Sequence, residues 1–171
     1  MAEKKGRDIL EEELLDEENE DTQKDQYLTF RMGDEDYGIE IRHVIEIVGI
    51  QKITEVPDMP DFVKGVINLR GQVIPVIDVR TRFQMPPRDY DDRTCVIVVN
   101  INETNVGLIV DTVSEVREIP EQHVAPPPKV RRGPGSRYIL GLGKVGDDVK
   151  ILLDVNKLLF DEELGQLEGA L

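Results

Sequence analysis

Few residues in this chain are of the types that carry catalysis, and their spacing decides what they can do. Two histidines and one cysteine occur among 171 residues. His43 stands beside Val44 and His123 lies in a connecting stretch, and neither belongs to a cluster with metal-ligand spacing. Zinc chemistry and a nucleophilic triad are therefore not expected. Gly141-Leu142-Gly143-Lys144-Val145-Gly146 fits G-x-G-x-x-G. A dinucleotide site would need a helix to open at the third glycine and receive the pyrophosphate at its N-terminus. Here Asp147 and Asp148 place two anions where phosphate would lie, and Val149 to Leu153 reads as a strand. The segment reads as a hairpin turn, with no cofactor. What remains is recognition chemistry. Asn68 and Arg70 are polar residues set in the most β-branched run of the chain, Gly65 to Arg80. They read either as the solvent face of a strand or as a recognition pair, since a guanidinium on a stiff strand suits a carboxylate or a backbone carbonyl.

The elements that hold those residues follow from the same run. Val66, Ile67 and Leu69 precede Gly71, and Val73, Ile74, Val76, Ile77 and Val79 follow it. Two short apolar strands joined by a tight turn fit this pattern, with Gly71 supplying a positive φ. Pro75 cannot donate to a ladder and should mark an edge or a bulge. Asp78 is placed to cap a helical turn from Arg80 to Phe83.

Charge narrows the partners. The formal net charge is −14, but residues 1–26 hold 11 acids against 4 bases and residues 160–171 hold 4 acids and no base. The middle is nearly neutral, so a nucleic-acid partner is disfavoured. Tyr27, Phe30 and Tyr37 could form a base-stacking platform, but without a basic groove core packing is the better reading. A single cysteine (Cys95) fits a reducing compartment. No apolar run is long enough to cross a membrane. The expectation is a cytoplasmic protein without direct membrane insertion.

The body is duplicated. A shift of 69 positions lays Leu28-Thr29-Phe30 on Ile97-Val98-Val99, Gly38 on Gly107, Val44 on Val113 and Glu46 on Glu115; a shift of 76 lays Gly65 on Gly141 and Asp78 on Asp154. The expected organisation is an acidic arm over 1–25, a domain over 26–160 with repeat units 26–83 and 95–159, and an acidic tail over 161–171. Each unit should hold a hairpin (27–32 with 37–41; 95–101 with 106–110). A short helical or irregular piece (42–48; 111–117) follows, then a third strand near Lys52–Glu55 or Glu118–Pro120, then the final hairpin. Five short strands describe a small barrel, and two such barrels would each be marginal alone and should pack together. Exchange of strands between the barrels is left open. Residues 84–94 read as a surface linker and residues 125–137 as a basic, proline-rich loop. A helix is expected from Val155 into Leu164, capped by Asp154.

Four ordered blocks resemble the CheW family of bacterial chemotaxis coupling proteins. They are Gly33-Asp34-Glu35-x-Tyr37-Gly38-Ile39-x-Ile41, Val44-x-Glu46-Ile47, Gly65 through Gly71, and Val73 through Arg80; Val110-Asp111-x-Val113-x-Glu115-Val116 and Gly141-Leu142-Gly143 add to them. The resemblance implies an all-β fold of two SH3-like five-stranded barrels without catalysis. It implies a scaffold that bridges the cytoplasmic tips of chemoreceptors to the regulatory domain of the CheA histidine kinase, at the receptor array. By the same resemblance, Leu28, Ile41, Val44 and Glu46 match receptor-binding positions, and Gly65, Asn68, Arg70 and Gly71 a coupling or structural motif. Arg70 is implied either to contact a partner or to clamp the Gly71 hairpin to the other barrel, with the clamp slightly favoured. The long arm and the basic loop depart from the family pattern. The alternatives are a module of the same fold in another two-component pathway, a small-barrel nucleic-acid binder, and a nucleotide-dependent enzyme on Gly141–Gly146.

Overall fold

The computed structural model describes residues 23–127 and 136–159. All but the end of the expected arm, the expected tail and most of the basic loop lie outside the described residues. The first repeat forms strands β1 (Gln26–Met32), β2 (Glu35–Glu40), β3 (Val44–Gly49), β4 (Val63–Leu69) and β5 (Gln72–Asp78), then helix α1 (Val79–Arg82). The second forms β6 (Cys95–Ile101), β7 (Thr104–Val110), β8 (Thr112–Glu118), β9 (Val124–Ala125), β10 (Ile139–Val145) and β11 (Asp148–Leu153), then α2 (Val155–Leu159). The fold is mainly β, in two sheets ordered β8-β1-β2-β11-β10-β9 and β3-β6-β7-β5-β4.

Two expectations about the middle of each repeat are corrected. Residues 42–48 are helical only in their first two residues: one 3-10 turn, Ile41–His43, leads directly into β3, and residues 112–118 form β8. The strand was hidden by a bulge. Val44 pairs with Val99 and Glu46 with Val98, so Ile45 is an extra residue and the apolar alternation slips by one. Ser114 occupies the same place in β8, between Val113 and Glu115. The strand expected at Lys52–Glu55 is one bridge, Thr54 to Val66. Its counterpart is β9, not Glu118–Pro120.

The open question of strand exchange has a definite answer: each sheet joins the first hairpin of one repeat to the final hairpin of the other. The junctions are parallel, with Val76 beside Gly107 and Ile77 beside Leu108 in one sheet. In the other, Leu152 lies beside Gly38 and Ile151 beside Tyr37. Pro75 lies just before the parallel junction and pairs with Val66 of β4, while the junction itself begins at Val76, so its missing donor interrupts no junction bond.

Strands in this arrangement are covered on both faces, which explains their unbroken apolar runs. In β6, Ile97, Val99 and Ile101 face a central core between the sheets, while Val96 and Val98 face the interior of their own barrel. Phe30 and Tyr37 stack at 5.9 Å, Tyr37 meets Phe83 at 5.8 Å, and Phe83 stacks on Tyr138 at 5.9 Å. This ladder runs through the central core and its rim, which makes packing the role of Phe30 and Tyr37. The helical turns are capped as expected. Thr81 N donates to Asp78 Oδ1 at 3.3 Å and Lys157 N donates to Asp154 Oδ1 at 3.1 Å.

A polar latch crosses between the repeats. Asp111, just after β7, accepts from Arg80 Nε at 2.7 Å and Arg80 Nη2 at 2.6 Å, from Gly33 N at 2.8 Å, and from Arg88 Nη1 at 3.2 Å. Arg80 Nη1 also donates to the Pro86 carbonyl at 2.8 Å, and Tyr90 Oη donates to Asp78 Oδ2 at 2.7 Å. The linker is thereby strapped over the joint it crosses. Burial pushes the Asp111 carboxyl up, but the bonds from Arg80 and Gly33 and the charges of Arg80 and Arg88 outweigh it and hold the group below its ordinary value.

Two outcomes follow. Gly65 has φ of +146°, and a Cβ there would lie 2.1 Å from the Thr54 carbonyl oxygen. Gly65→Ala should lower the unfolding free energy by about 3 kcal/mol or more, read by urea denaturation. Asp111 is ionised more readily folded than unfolded, so its stabilisation is present above the ordinary carboxylate pKa and lost as pH falls through the folded value. Asp111→Asn should cost about 2 kcal/mol at neutral pH, and its deficit against the parent should shrink as urea titrations are carried below the ordinary carboxylate range.

Candidate functional site

The expected recognition residues fall in two groups, and local geometry decides what each can offer. Leu28 is a correction. It is 2% exposed and belongs to the central core. The β1 face carrying Leu28, Phe30 and Met32 is the one covered by the opposite sheet, so Leu28 supports a surface without being one. Ile41 and Val44 are half-buried and pack against the same core from its rim. Ile41 sits in the 3-10 turn and Val44 opens β3. Aliphatic side chains there are anchored on one side and open on the other.

β3 is an edge strand. Its bulge turns Ile45 outward, and Ile45 and Ile47 are 52% and 43% exposed. Val73 on β5 is 68% exposed. The pattern reading did not single out these three. Their signal was present in the aliphatic doublets Val44-Ile45 and Val73-Ile74, where a half-covered strand should alternate.

Glu46 and Arg70 meet: Arg70 Nη2 donates to Glu46 Oε1. Glu46 lies on β3 and Arg70 in the β4–β5 turn, which are the two ends of one sheet. The pair therefore spans a single barrel, and the expected tie from Arg70 to the other barrel is corrected. Arg70 itself has φ of +51° and Gly71 has φ of +86°. Both central turn positions are left-handed, as a two-residue hairpin of the strand-compatible hand requires. The Asn68 side chain accepts from Gly71 N at 2.9 Å and stiffens this turn. The Arg70 side chain is 71% exposed and stays open to solvent beyond its ion pair.

The remaining polar residues do not assemble chemistry. The His43 imidazole is pushed below its ordinary value by burial and by Arg42, against the opposing pull of Glu40 and Asp154. No group of three or more His, Cys, Asp or Glu side chains could hold a metal ion among the described residues. Gly141 and Gly143 lie inside β10, and Gly146 has φ of +59° in the turn to β11. The G-x-G-x-x-G segment is thus a hairpin, as its two aspartates implied. No described helix is long and apolar enough to cross a membrane.

The CheW-like domain family matches residues 26–163. The chain belongs to the CheW-like family. Chemotaxis protein CheW of Klebsiella aerogenes is 39% identical over 145 residues, covering 85% of this chain and 87% of that protein. The Treponema pallidum protein of the same name is 34% identical over 146 residues, covering 83% and 86%. The crystal structure of the scaffolding protein TtCheW from Thermoanaerobacter tengcongensis superposes with a TM-score of 0.75 at 35% identity, covering 81% of this chain and 94% of that one. CheW-like proteins are non-catalytic scaffolds, and a chemotaxis coupling or scaffold role is the function these relatives support.

An exposed ion pair contributes little to folding. Arg70→Ala should therefore leave the thermal melting curve unchanged within the precision of the scan. A clear loss of stability would restore a clamp as the main role of this residue.

Proposed function

We propose that the chain couples the cytoplasmic tips of chemoreceptors to the CheA histidine kinase, so that receptor state sets kinase output. The observation that carries this reading is the rim of Ile41 and Val44, half-buried against the central core, with the exposed Ile45 and Ile47 following on the same edge strand. A row of aliphatic side chains on a rigid strand suits the apolar face of an amphipathic helix, such as a receptor hairpin presents. Glu46 and Arg70 beside it supply oriented polar groups that set register more than affinity. In this reading Arg70 is a partner contact, with Asn68, Gly65 and Gly71 fixing the turn that presents it. Kinase binding uses the exposed strands of one barrel against the homologous regulatory domain.

A scaffold without chemistry transmits only by binding two receptor states with different affinity. The contacts at Ile41, Val44 and Arg70 are therefore where that difference must arise.

Val44→Asp places a charge on the apolar rim. With far-UV dichroism and melting retained, it should weaken capture of a receptor signalling fragment by about tenfold or more, the equivalent of ~1.4 kcal/mol. If Val44→Asp does not fold, Ile47→Asp, at the more exposed position, takes its place. Undiminished capture by a folded variant would remove this rim from the receptor interface.

A further inference from the structure

The two repeats are halves of one body with a single covalent crossing between them. Four ladders join the halves: β1 with β8, β2 with β11, β3 with β6, and β5 with β7. The Asp111 latch adds Gly33 and Arg80 of the first repeat to a carboxylate of the second. All of these contacts are the same whether the halves belong to one chain or to two. Residues 84–94 alone distinguish the cases, because they alone connect the halves.

That crossing has the make-up of a hinge. It leaves α1 through Gln84, whose φ of +54° lies in the left-handed region. Met85 N donates to the Arg80 carbonyl at 2.8 Å and Gln84 N to the Thr81 carbonyl at 3.0 Å. The sharp exit is thus a helix C-terminal turn of the kind glycine normally makes, and a side chain there is strained. Pro86 and Pro87 follow at once and favour extended chain. The crossing is tied down by Arg80 Nη1 on the Pro86 carbonyl, Arg88 on Asp111 and Tyr90 on Asp78. The Arg88 side chain is 48% exposed, and an ion pair with so exposed a partner contributes little.

We infer that this fold accepts a second copy of its own chain by exchange: residues 26–83 of one chain close on residues 95–159 of the other, with residues 84–94 opened as the hinge. Exchange keeps every junction contact, and a short strained hinge favours it. The opened crossing reaches roughly 36 Å, about the width of a second body of this size. With the hinge closed, the halves meet intramolecularly at a high effective concentration. The single chain is therefore favoured when dilute, and the exchanged dimer forms when chains refold at high concentration. Such a dimer carries two complete bodies joined by two crossings, a bivalent form of the same scaffold.

Lys150 Nζ and Asp36 Oδ2 lie 2.8 Å apart across the β2–β11 junction, one in each repeat, and give a direct readout. Isotope-heavy and light full-length chains are mixed, unfolded in urea and refolded at high concentration. Monomer and dimer are then separated by size, treated with a zero-length carbodiimide and mapped by mass spectrometry. In the dimer the Asp36–Lys150 amide should join heavy to light peptides as often as chance pairing allows, and in the monomer it should stay within one label. Refolding without any dimer overturns the inference. So does a dimer whose Asp36–Lys150 amides never cross labels, which would be an association of closed chains through their surfaces. Arg88→Ala with Tyr90→Phe should raise the dimer fraction several-fold, and Gln84→Gly, which removes the strain from the closed exit, should lower it. A dimer fraction unchanged by both would show that residues 84–94 are not the hinge, and would equally overturn the inference.

Discussion

Everything in this molecule depends on two short parallel strand pairings. Val76 beside Gly107 and Leu152 beside Gly38 join hairpins that come from different repeats. Without them the first hairpin of a repeat has no final hairpin to complete its sheet, and neither repeat can close a barrel from its own strands. Parallel pairing cannot be made through a tight turn and always needs a long connection. Here the connection is the rest of the protein, including the linker that Arg88 and Tyr90 fasten down. The Asp111 latch follows from this topology. It gathers Gly33, Arg80 and Arg88 from the first repeat and the linker onto a carboxylate of the second, at the place where two exchanged halves must keep one relative setting.

The parts of this architecture that were legible in sequence are those that reuse local chemistry. The β4–β5 hairpin was readable from Gly71 and the β-branched runs around it, and the caps from Asp78 and Asp154 with the helical turns that follow. The offsets of 69 and 76 recur in the pairing registers, down to the bulges at Ile45 and Ser114. Strand β3 was obscured because a bulge breaks the two-residue period on which strand reading depends. Strand exchange was not legible, since identical patterns in both repeats fit either partner. The expectation for Leu28 rested on the family resemblance, and local pattern could not have checked it. A strand covered on both faces shows no alternation, so nothing local says which apolar residue faces a partner and which faces the opposite sheet.

The rim proposed for recognition has the same origin. Ile41 and Val44 belong to the rim of the central core, so the rigidity of that core is lent to whatever docks on them. Contacts on a rigid rim cost little side-chain entropy on binding. The polar pair beside them is different in kind, because Glu46 and Arg70 are held by an edge strand and a two-residue turn rather than by burial.

Duplication also explains how one fold can present two unlike faces. Two of the exposed aliphatics recur at equivalent places, Ile47 with Val116 and Val73 with Val149, whereas Ile45 is answered by Ser114. Of the polar residues between them, the glutamate recurs and the arginine does not. Glu46 answers to Glu115, but the turn position of Arg70 is taken by Gly146, and Glu115 pairs instead with Arg117 on its own strand. One barrel therefore carries its charge pair across the gap between an edge strand and a hairpin, while the other turn has glycine at the position of Arg70 and an acid, Asp147, at the next. The recurring aliphatics Ile47 and Val116, Val73 and Val149 would by themselves leave the two faces much alike. Discrimination between partners needs features that favour one and penalise the other, and a guanidinium in one turn against glycine and an acid in the other differ in that way. In the proposed role, the two faces of a scaffold built from two copies of one unit differ where the copies have diverged, at a turn rather than in the shared core.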